Sequence, residues 1–488
     1  MPGNYIPSAA ELFRFSPELL LMVAGTLVMI LEAITTPARK RILPIVAFVS
    51  LIAALGLALL GASDPGPAFN GLLQVDGLAT FFRVLVMAIG AVVILMSTNY
   101  LRVADHEGGE YYALVLFSIV GQCLMATANE LIMIFIGIEV SSIATYILAG
   151  YLRDDKRNNE AALKYFLLGS FATAFLLYGV AWIYGGAGTT NLSAIRRILL
   201  DPQTAPDLTL TGAAIALIFV GLLFKISAVP FQMWAPDVYQ GAPAPVTAFL
   251  STGPKAAAFA AFLRIGMTAF GPVKEHWTPA LWACALATMV VGNFAALRQS
   301  NVKRLLAYSS IAHAGYVLVA VTAASDTGVA AAMFYLAAYA AMNLGAFAVV
   351  THIAGKGERR VEISDLAGLG VRQPATAALL TVFLLSLIGV PLTGGFFGKF
   401  YIFKAALDAH LIALSIMGLL TSAVAAYYYL RLVVVMYMQP APVDAGELPP
   451  PSAGIRAALL ISCAATILLG VVPSLVLDIA VRAAGSIR

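Results

Sequence analysis

From residue 16 onward the chain is a succession of apolar runs about twenty residues long, divided by short polar stretches. A helix rising about 1.5 Å per residue needs about 20 residues to cross a hydrocarbon core about 30 Å thick. The runs therefore predict about 14 membrane helices, at 16–34, 43–61, 77–98, 111–128, 131–151, 161–185, 210–238, 244–270, 277–297, 303–322, 327–353, 374–405, 411–438 and 455–482. Polar intervals are brief except at 62–76, 186–209, 355–373 and 439–454, and the last, QPAPVDAGELPPPSAG, reads as a proline-rich surface connector. No interval has the composition of a second domain.

The polar positions orient this array. Arg39, Lys40 and Arg41 cluster in one loop, Arg153, Lys156 and Arg157 in another, Arg298 and Arg304 in a third, and Lys356, Arg359, Arg360 and Arg372 in a fourth. These are alternate loops, so the positive-inside rule places them in the cytoplasm and both termini on the outer side. The formal charge of +4 is accounted for by this asymmetry and gives no reason to invoke nucleic acid. With 61% hydrophobic residues, 11% charged residues and a mean hydropathy of +0.90, composition agrees with an all-α polytopic membrane protein. The first apolar run is too long for a signal-peptide core and is read as the first span.

Cys123, Cys284 and Cys463 each fall inside an apolar run, which predicts small core hydrophobes and neither a disulfide framework nor a metal motif. No Walker loop, no dinucleotide fingerprint after a strand and no metal-ligand pair is present, so no cofactor site is expected in this chain.

Charges inside the spans are the informative exceptions, because one at the middle of a membrane helix costs about 2.5 to 3.5 kcal/mol on insertion scales. Such a charge requires a partner, a hydrated cavity or a function. Glu139, Lys225, Lys255 and Lys399 lie deepest, whereas Lys164 and Lys303 stand near helix starts, where snorkelling to the interface explains a lysine as well as a function does.

In LLFKISAVPF (222–231), Pro230 removes a backbone donor and its ring clashes with the carbonyl of Ile226, which predicts a break leaving free carbonyls beside Lys225. Poor solvation would then make this lysine a switchable proton site; a kink with a permanently paired lysine is the plainer alternative. Pro391, in LIGVPLTGGFFGKF, marks a second break, with Lys399 after it.

Three echoes recur in order: SSIAT (141–145) as SSIAH (309–313), AALKYF (161–166) as AAMFYL (331–336), and ISAVPF (226–231) as LIGVPL (387–392). They predict an inverted duplication of five helices each. The expected division is helices 1–3 over 1–105, one repeat over 106–272, the other over 273–438, and connector plus last helix over 439–488, all within one membrane domain.

WAPDVYQGAPAPVTAFLSTGPKAAAFAAFLR (234–264), QSNVKRLLAYSSIAHAGY (299–316) and LLSLIGVPLTGGFFGKFYIF (384–403) closely resemble the antiporter-like subunit N of respiratory NADH:quinone oxidoreductase, complex I. The resemblance spans nearly the whole chain. It implies that Glu139 is the acid of helix 5, Lys225 the lysine of broken helix 7, Lys255 the connecting lysine of helix 8 and Lys399 the terminal lysine of broken helix 12. Lys164, Lys303 and His313 form a secondary proton path on the same ground. GVPL at 389–392 departs from the two successive prolines of many relatives.

The implied activity is proton translocation driven by NADH-to-quinone electron transfer in neighbouring subunits, which would hold the FMN, the iron–sulfur clusters and the quinone. Other membrane subunits, sister antiporter-like chains among them, are the implied partners, in a bacterial inner membrane. A subunit of a multi-subunit Na⁺/H⁺ antiporter or membrane-bound hydrogenase is an alternative of the same architecture. An inert scaffold is a third, opposed by the intramembrane ionisable residues.

Overall fold

The structure, a computed structural model, describes residues 5–36, 40–441, 446 and 448–487. Arg39 of the first basic loop and residues 442–445 and 447 of the 439–454 connector lie outside the described residues. Short α1 (Ala9–Arg14) precedes α2 (Ser16–Ile34) and α3 (Ile42–Gly61), and a small antiparallel hairpin of β1 (Gly66–Ala68) and β2 (Leu73–Val75) follows. The chain continues through α4 (Gly77–Ala104), α5 (Gly109–Thr127), α6 (Leu131–Ala149), α7 (Lys156–Ala187), α8 (Leu192–Leu200), α9 (Leu208–Lys225), α10 (Trp234–Gly241) and α11 (Ala244–Arg264). The remainder comprises α12 (Lys274–Leu297), α13 (Val302–Thr322), α14 (Asp326–Ala354), one-turn α15 (Leu369–Arg372), α16 (Pro374–Ile388), α17 (Gly394–Asp408), α18 (Ile412–Met438), α19 (Ala453–Val471) and α20 (Ser474–Ala484).

Among the described residues, thirteen helices are long and apolar enough to cross a membrane. The expected span 374–405 is the exception, being two shorter pieces, α16 and α17. The expected 210–238 is likewise divided into α9 and α10, and 455–482 is interrupted at Val472 and Pro473 between α19 and α20. Side chains start many of the helices: Asp76 accepts from the Ala79 amide at α4, Asn301 from Arg304 at α13 and Ser325 from Gly328 at α14.

Lipid tails are as apolar as leucine, so close backbone approach and buried polar contacts hold such a bundle together. Helices α5 and α6 show the first: a Cβ on Gly121 would stand 2.5 Å from the Ser141 amide nitrogen and 2.6 Å from the Gly137 carbonyl. Helix α14 is the hub, packing on α4, α11, α13, α16, α17, α19 and α20. Nearly every residue of α11, α13 and α14 is buried, whereas α7, α18 and α19 present Leu167, Phe171, Leu419 and Leu460 outward as a lipid-facing surface.

Two enclosed ion pairs fasten the flanking helices, and neither was anticipated among the charges of the spans. Arg83 of α4 grips Glu18 of α2 through Nε–Oε1 at 2.7 Å and a second bond at 2.8 Å. Arg264, closing α11, takes both carboxylate oxygens of Asp76 at 2.8 Å and also donates to the Ala126 carbonyl. Fork-to-carboxylate geometry satisfies these groups where water cannot.

The breaks differ in cause from the expectation. Helix α9 is already finished at Lys225, because Ser227 adopts a left-handed backbone at φ 61°. The Ser227 amide bonds the Phe224 carbonyl at 3.0 Å and the Ala228 amide the Leu223 carbonyl at 2.8 Å, a Schellman stop. Pro230 lies beyond, in the 226–233 linker, and does not distort a continuous helix over Ile226. Helix α16 ends the same way, with Gly389 at φ 96° bonded to the Ser386 carbonyl and Val390 to the Leu385 carbonyl, each at 3.0 Å. Pro391 follows that stop. Both prolines forbid the helix from resuming, while the residue with positive φ turns the chain.

Candidate functional site

Lys225 is the last helical residue of α9, and its amine turns away from the broken end toward α6. It donates to Ser142 Oγ at 2.7 Å and to the Tyr146 hydroxyl at 3.2 Å, and lies 5.3 Å and 5.9 Å from the ring centres of Tyr146 and Tyr165. Glu139 stands one turn before Ser142 on the same helix, but no contact ion pair with Lys225 forms, and Glu139 Oε1 is buried without a protein partner. The expected counter-ion is therefore a neighbour across Ser142. The free carbonyls expected beside Lys225 do not receive its amine; the indole of Trp234 donates to the Phe224 carbonyl at 3.0 Å instead.

Lys255, buried at mid-α11, donates to Ser310 Oγ at 2.6 Å and to the Ser310 carbonyl at 3.2 Å. Ser310 belongs to α13, one of the most enclosed helices, whose one face carries Lys303, Ser310, His313 and Tyr316 at helical spacing. His313 reaches the Tyr335 hydroxyl at 2.5 Å through Nδ1 and that of Tyr429 at 3.1 Å through Nε2. Tyr429 in turn meets Ser309.

Lys399 comes from α17 and reaches back across the second break. Its amine donates to the carbonyls of Leu387 at 3.1 Å and Ile388 at 2.8 Å, to Ser422 Oγ at 2.7 Å, and lies 5.0 Å from the Tyr316 ring centre. The carbonyls at the end of a half-helix thus hold a cation, as a helix C-terminus favours, but the cation is Lys399.

The three deep lysines share a mode of support: each amine meets a serine hydroxyl, Ser142, Ser310 or Ser422, and among the described residues none has a carboxylate within 4 Å. Sequence reasoning missed all three serines. A signal existed for two of them, since Ser142 and Ser310 are the second serines of the SSIAT and SSIAH echoes.

Of the secondary residues, Lys164 is 41% exposed and pairs with Glu160 at 2.7 Å and with Asp237 at 2.8 Å, a surface arrangement. Lys303 is the reverse. Although next to the start of α13, it is fully enclosed and paired with Glu358, so snorkelling does not describe it. Glu358 was not anticipated, because it lies in the 355–373 loop and no span pattern singles out one of that loop's acids. Cys123 is buried and Cys284 and Cys463 partly so, all with free thiols.

Comparison with known proteins agrees with this architecture. The family model described as NADH:quinone oxidoreductase/Mrp antiporter, transmembrane, matches residues 128–425. NADH-quinone oxidoreductase subunit N 1 of Solibacter usitatus is 57% identical over 488 residues, covering 100% of each chain. A chain of respiratory complex I from Thermus thermophilus superposes with a TM-score of 0.81 at 35% identity, covering 95% of this chain and 98% of that one. A chain of the Mrp complex from Dietzia sp. DQ12-45-1b reaches a TM-score of 0.85 at 22% identity over 97% of both, a likeness of fold alone. Fold therefore does not separate these relatives, whereas sequence does, and by it the chain belongs to the family of NADH-quinone oxidoreductase subunit N.

Proposed function

We propose that this chain moves protons across a bacterial inner membrane through Glu139, Lys225, Lys255 and Lys399, driven by NADH-to-quinone electron transfer in partner subunits. FMN, iron–sulfur clusters and quinone belong to those partners, and sister antiporter-like chains adjoin this one in the membrane. Two inverted five-helix units, over 106–272 and 273–438, carry the site. The basic loops face the cytoplasm and both termini face outward.

The supporting observation is the set of three enclosed lysine amines held by serine hydroxyls, tyrosine rings and carbonyls, with no carboxylate in contact. A lysine kept for structure would be expected to have an acid partner, since an unpaired enclosed charge is costly. Amines supported by neutral dipoles can hold or release a proton without breaking an ion pair. Moving one charge against 100 mV takes about 2.3 kcal/mol. Bringing a carboxylate to about 4 Å from an ammonium changes its energy by about 4 kcal/mol at an effective dielectric constant near 20. Displacing Glu139 relative to Lys225 is thus large enough to drive one transfer.

Proton pumping by the assembled complex in sealed vesicles tests the reading. Lys225→Met and Lys399→Met, with assembly verified, are expected to abolish coupled pumping; normal proton-to-electron ratios in both variants would refute it.

A further inference from the structure

A cavity of about 240 Å³ opens at the side of the bundle where the basic loops gather, lined among others by Arg157, Glu160, Lys164, Asp237, Asn301 and Glu358. Glu358 forms part of its inner wall. The loop delivering it has three residues of positive φ, Gly355 at φ 67° and the adjacent Gly357 at φ 71° and Glu358 at φ 49°. A non-glycine residue at positive φ is uncommon, and the segment holds this one so that its carboxylate points inward.

Inside, Glu358 is only 8% exposed. One oxygen accepts from the Tyr100 hydroxyl at 2.8 Å and the Ala244 amide at 2.6 Å, and the other takes the Lys303 amine. That amine is fully enclosed, and its other partner is the Ala242 carbonyl. From there the polar positions continue inward on α11. Thr247 Oγ1 shares the Ala242 carbonyl, Ser251 follows four residues later with Asn343 donating to it at 2.7 Å, and Lys255 follows four residues after that. Thr247, Ser251 and Lys255 thus form one stripe along a helix face. Asn343 Oδ1 and the hydroxyls of Tyr239 and Tyr339 are buried without protein partners, which leaves polar capacity in this region for bridging water.

We infer that the Glu358–Lys303 pair is the inlet by which protons from the basic-loop side reach the lysine row, with Thr247 and Ser251 leading from it to Lys255. The inference rests on the transport reading above. The transfer balances without electrons. Lys303 gives a proton inward through the stripe to a neutral Lys255 amine and becomes a neutral amine. Glu358, protonated by hydronium through the cavity, gives that proton to Lys303 and returns to carboxylate. Glu358 faces Lys303 and Tyr100 directly, Arg157, Glu160, Lys164 and Asp237 line the mouth, and Asp155 and Arg304 pair with Arg157 and Asp237 behind it, so these are the charges acting on the step. Asp155 is held below the ordinary carboxylate range by its bonds from Arg157, and so remains ionised across the pH range of the test.

The test uses the complete complex in inside-out vesicles, reading NADH-driven quinone reduction and proton uptake between pH 6 and 8. Glu358→Gln keeps the acceptor oxygen but cannot collect protons. Its coupled turnover is expected to fall at least tenfold at pH 8, where direct protonation of Lys303 by hydronium is limiting, and to recover toward wild type at pH 6, where that step is faster. Lys303→Arg keeps the ion pair but hardly deprotonates, so it is expected to assemble and be slow at every pH. A pH-independent loss in Glu358→Gln together with wild-type rates in Lys303→Arg identifies a mere staple and overturns the inlet, as do wild-type rates in both. Should Glu358→Gln fail to accumulate, Lys303→Arg decides alone. Lys399→Met, assayed alongside, separates the two levels: normal pumping there defeats the transport reading, whereas lost pumping there with normal Glu358→Gln and Lys303→Arg defeats the inlet alone.

Discussion

Replacing Arg83 with methionine isolates the cost of leaving one enclosed charge without its partner. Glu18 is 0% exposed, and its side-chain partner is the Arg83 fork, at 2.7 and 2.8 Å. Removing one member of a buried pair costs about 3–5 kcal/mol. The orphan has an escape, which is to bind a proton. At pH 7 protonating a glutamate of ordinary pKa, about 4.3, costs about 3.7 kcal/mol at 1.36 kcal/mol per unit. The loss is therefore expected at about 3–4 kcal/mol at pH 7, shrinking by about 1.4 kcal/mol for each unit the pH falls and reaching about 1 kcal/mol at pH 5. The sign follows because only the folded state confines the carboxylate, so the variant binds an extra proton when folded and acid favours it. Removing both charges, Glu18→Leu with Arg83→Met, should restore stability to within about 1 kcal/mol of wild type or better. Sodium dodecyl sulfate titration in mixed micelles, followed by helical circular dichroism, gives each difference. A loss in Arg83→Met that is below about 1 kcal/mol or flat from pH 5 to 7, or a double variant no better than the single, would refute the reasoning.

Lys255→Ala should depress coupled turnover, and Lys255→Arg should fail to restore it, because guanidinium keeps its proton; equal rates for Arg and Lys would reduce the position to a fixed charge. Glu139→Gln keeps the shape of a side chain whose Oε1 has no protein partner, so assembly should be normal and only pumping and coupled quinone reduction should fall; a matching loss of assembly would make Glu139 structural. Glu11 is held at about 2, chiefly by the Tyr5 hydroxyl and then by the Ser8 amide. Its contribution to docking α1 is fully present above about pH 4.5 and lost as pH falls through about 2. Amide exchange across residues 8–15, corrected for intrinsic rate, should rise over that window in wild type and already be high at pH 7 in Glu11→Gln. Trp234→Phe removes the indole donor to the Phe224 carbonyl while leaving every charge in place, so exchange at the end of α9 should increase at any pH.

What could be read from the sequence divides along physical lines. Spans were legible because burial in lipid demands some twenty apolar residues wherever the chain crosses. Deep lysines were legible for the converse reason, each being a costly exception in an apolar run. Pairing was not legible. Glu18 and Arg83 sit 65 positions apart, Asp76 and Arg264 188 apart, and Lys303 and Glu358 55 apart, so only the folded arrangement makes them partners. Serines escaped notice because a hydroxyl is common in membrane helices and carries no insertion penalty large enough to mark it. The breaks were located correctly, but their cause was misassigned to proline, because φ at Ser227 is set by the turn and a serine carries no warning of a left-handed backbone.

The two breaks share one backbone design and divide the capping differently, which bears on how each lysine can act. At the second break Lys399 itself holds the exposed carbonyls of Leu387 and Ile388. Neutralising it weakens two charge-assisted bonds between the half-helices, each worth about 1.5–3 kcal/mol when made to an ion. At the first break an uncharged donor, the Trp234 indole, ties the half-helices together, and Lys225 is left to the serine and tyrosines of α6. Changing the charge of Lys225 leaves that tie intact. On the proposed transport reading, proton loss at Lys399 would be coupled to the geometry of its break, whereas proton loss at Lys225 would be coupled to its side-chain surroundings and to Glu139 beyond them. If protons pass along this row as proposed, a pulse beginning as a shift of electrostatics at the first break would end as a movement of backbone at the second, because an indole ties the first break and an ammonium the second.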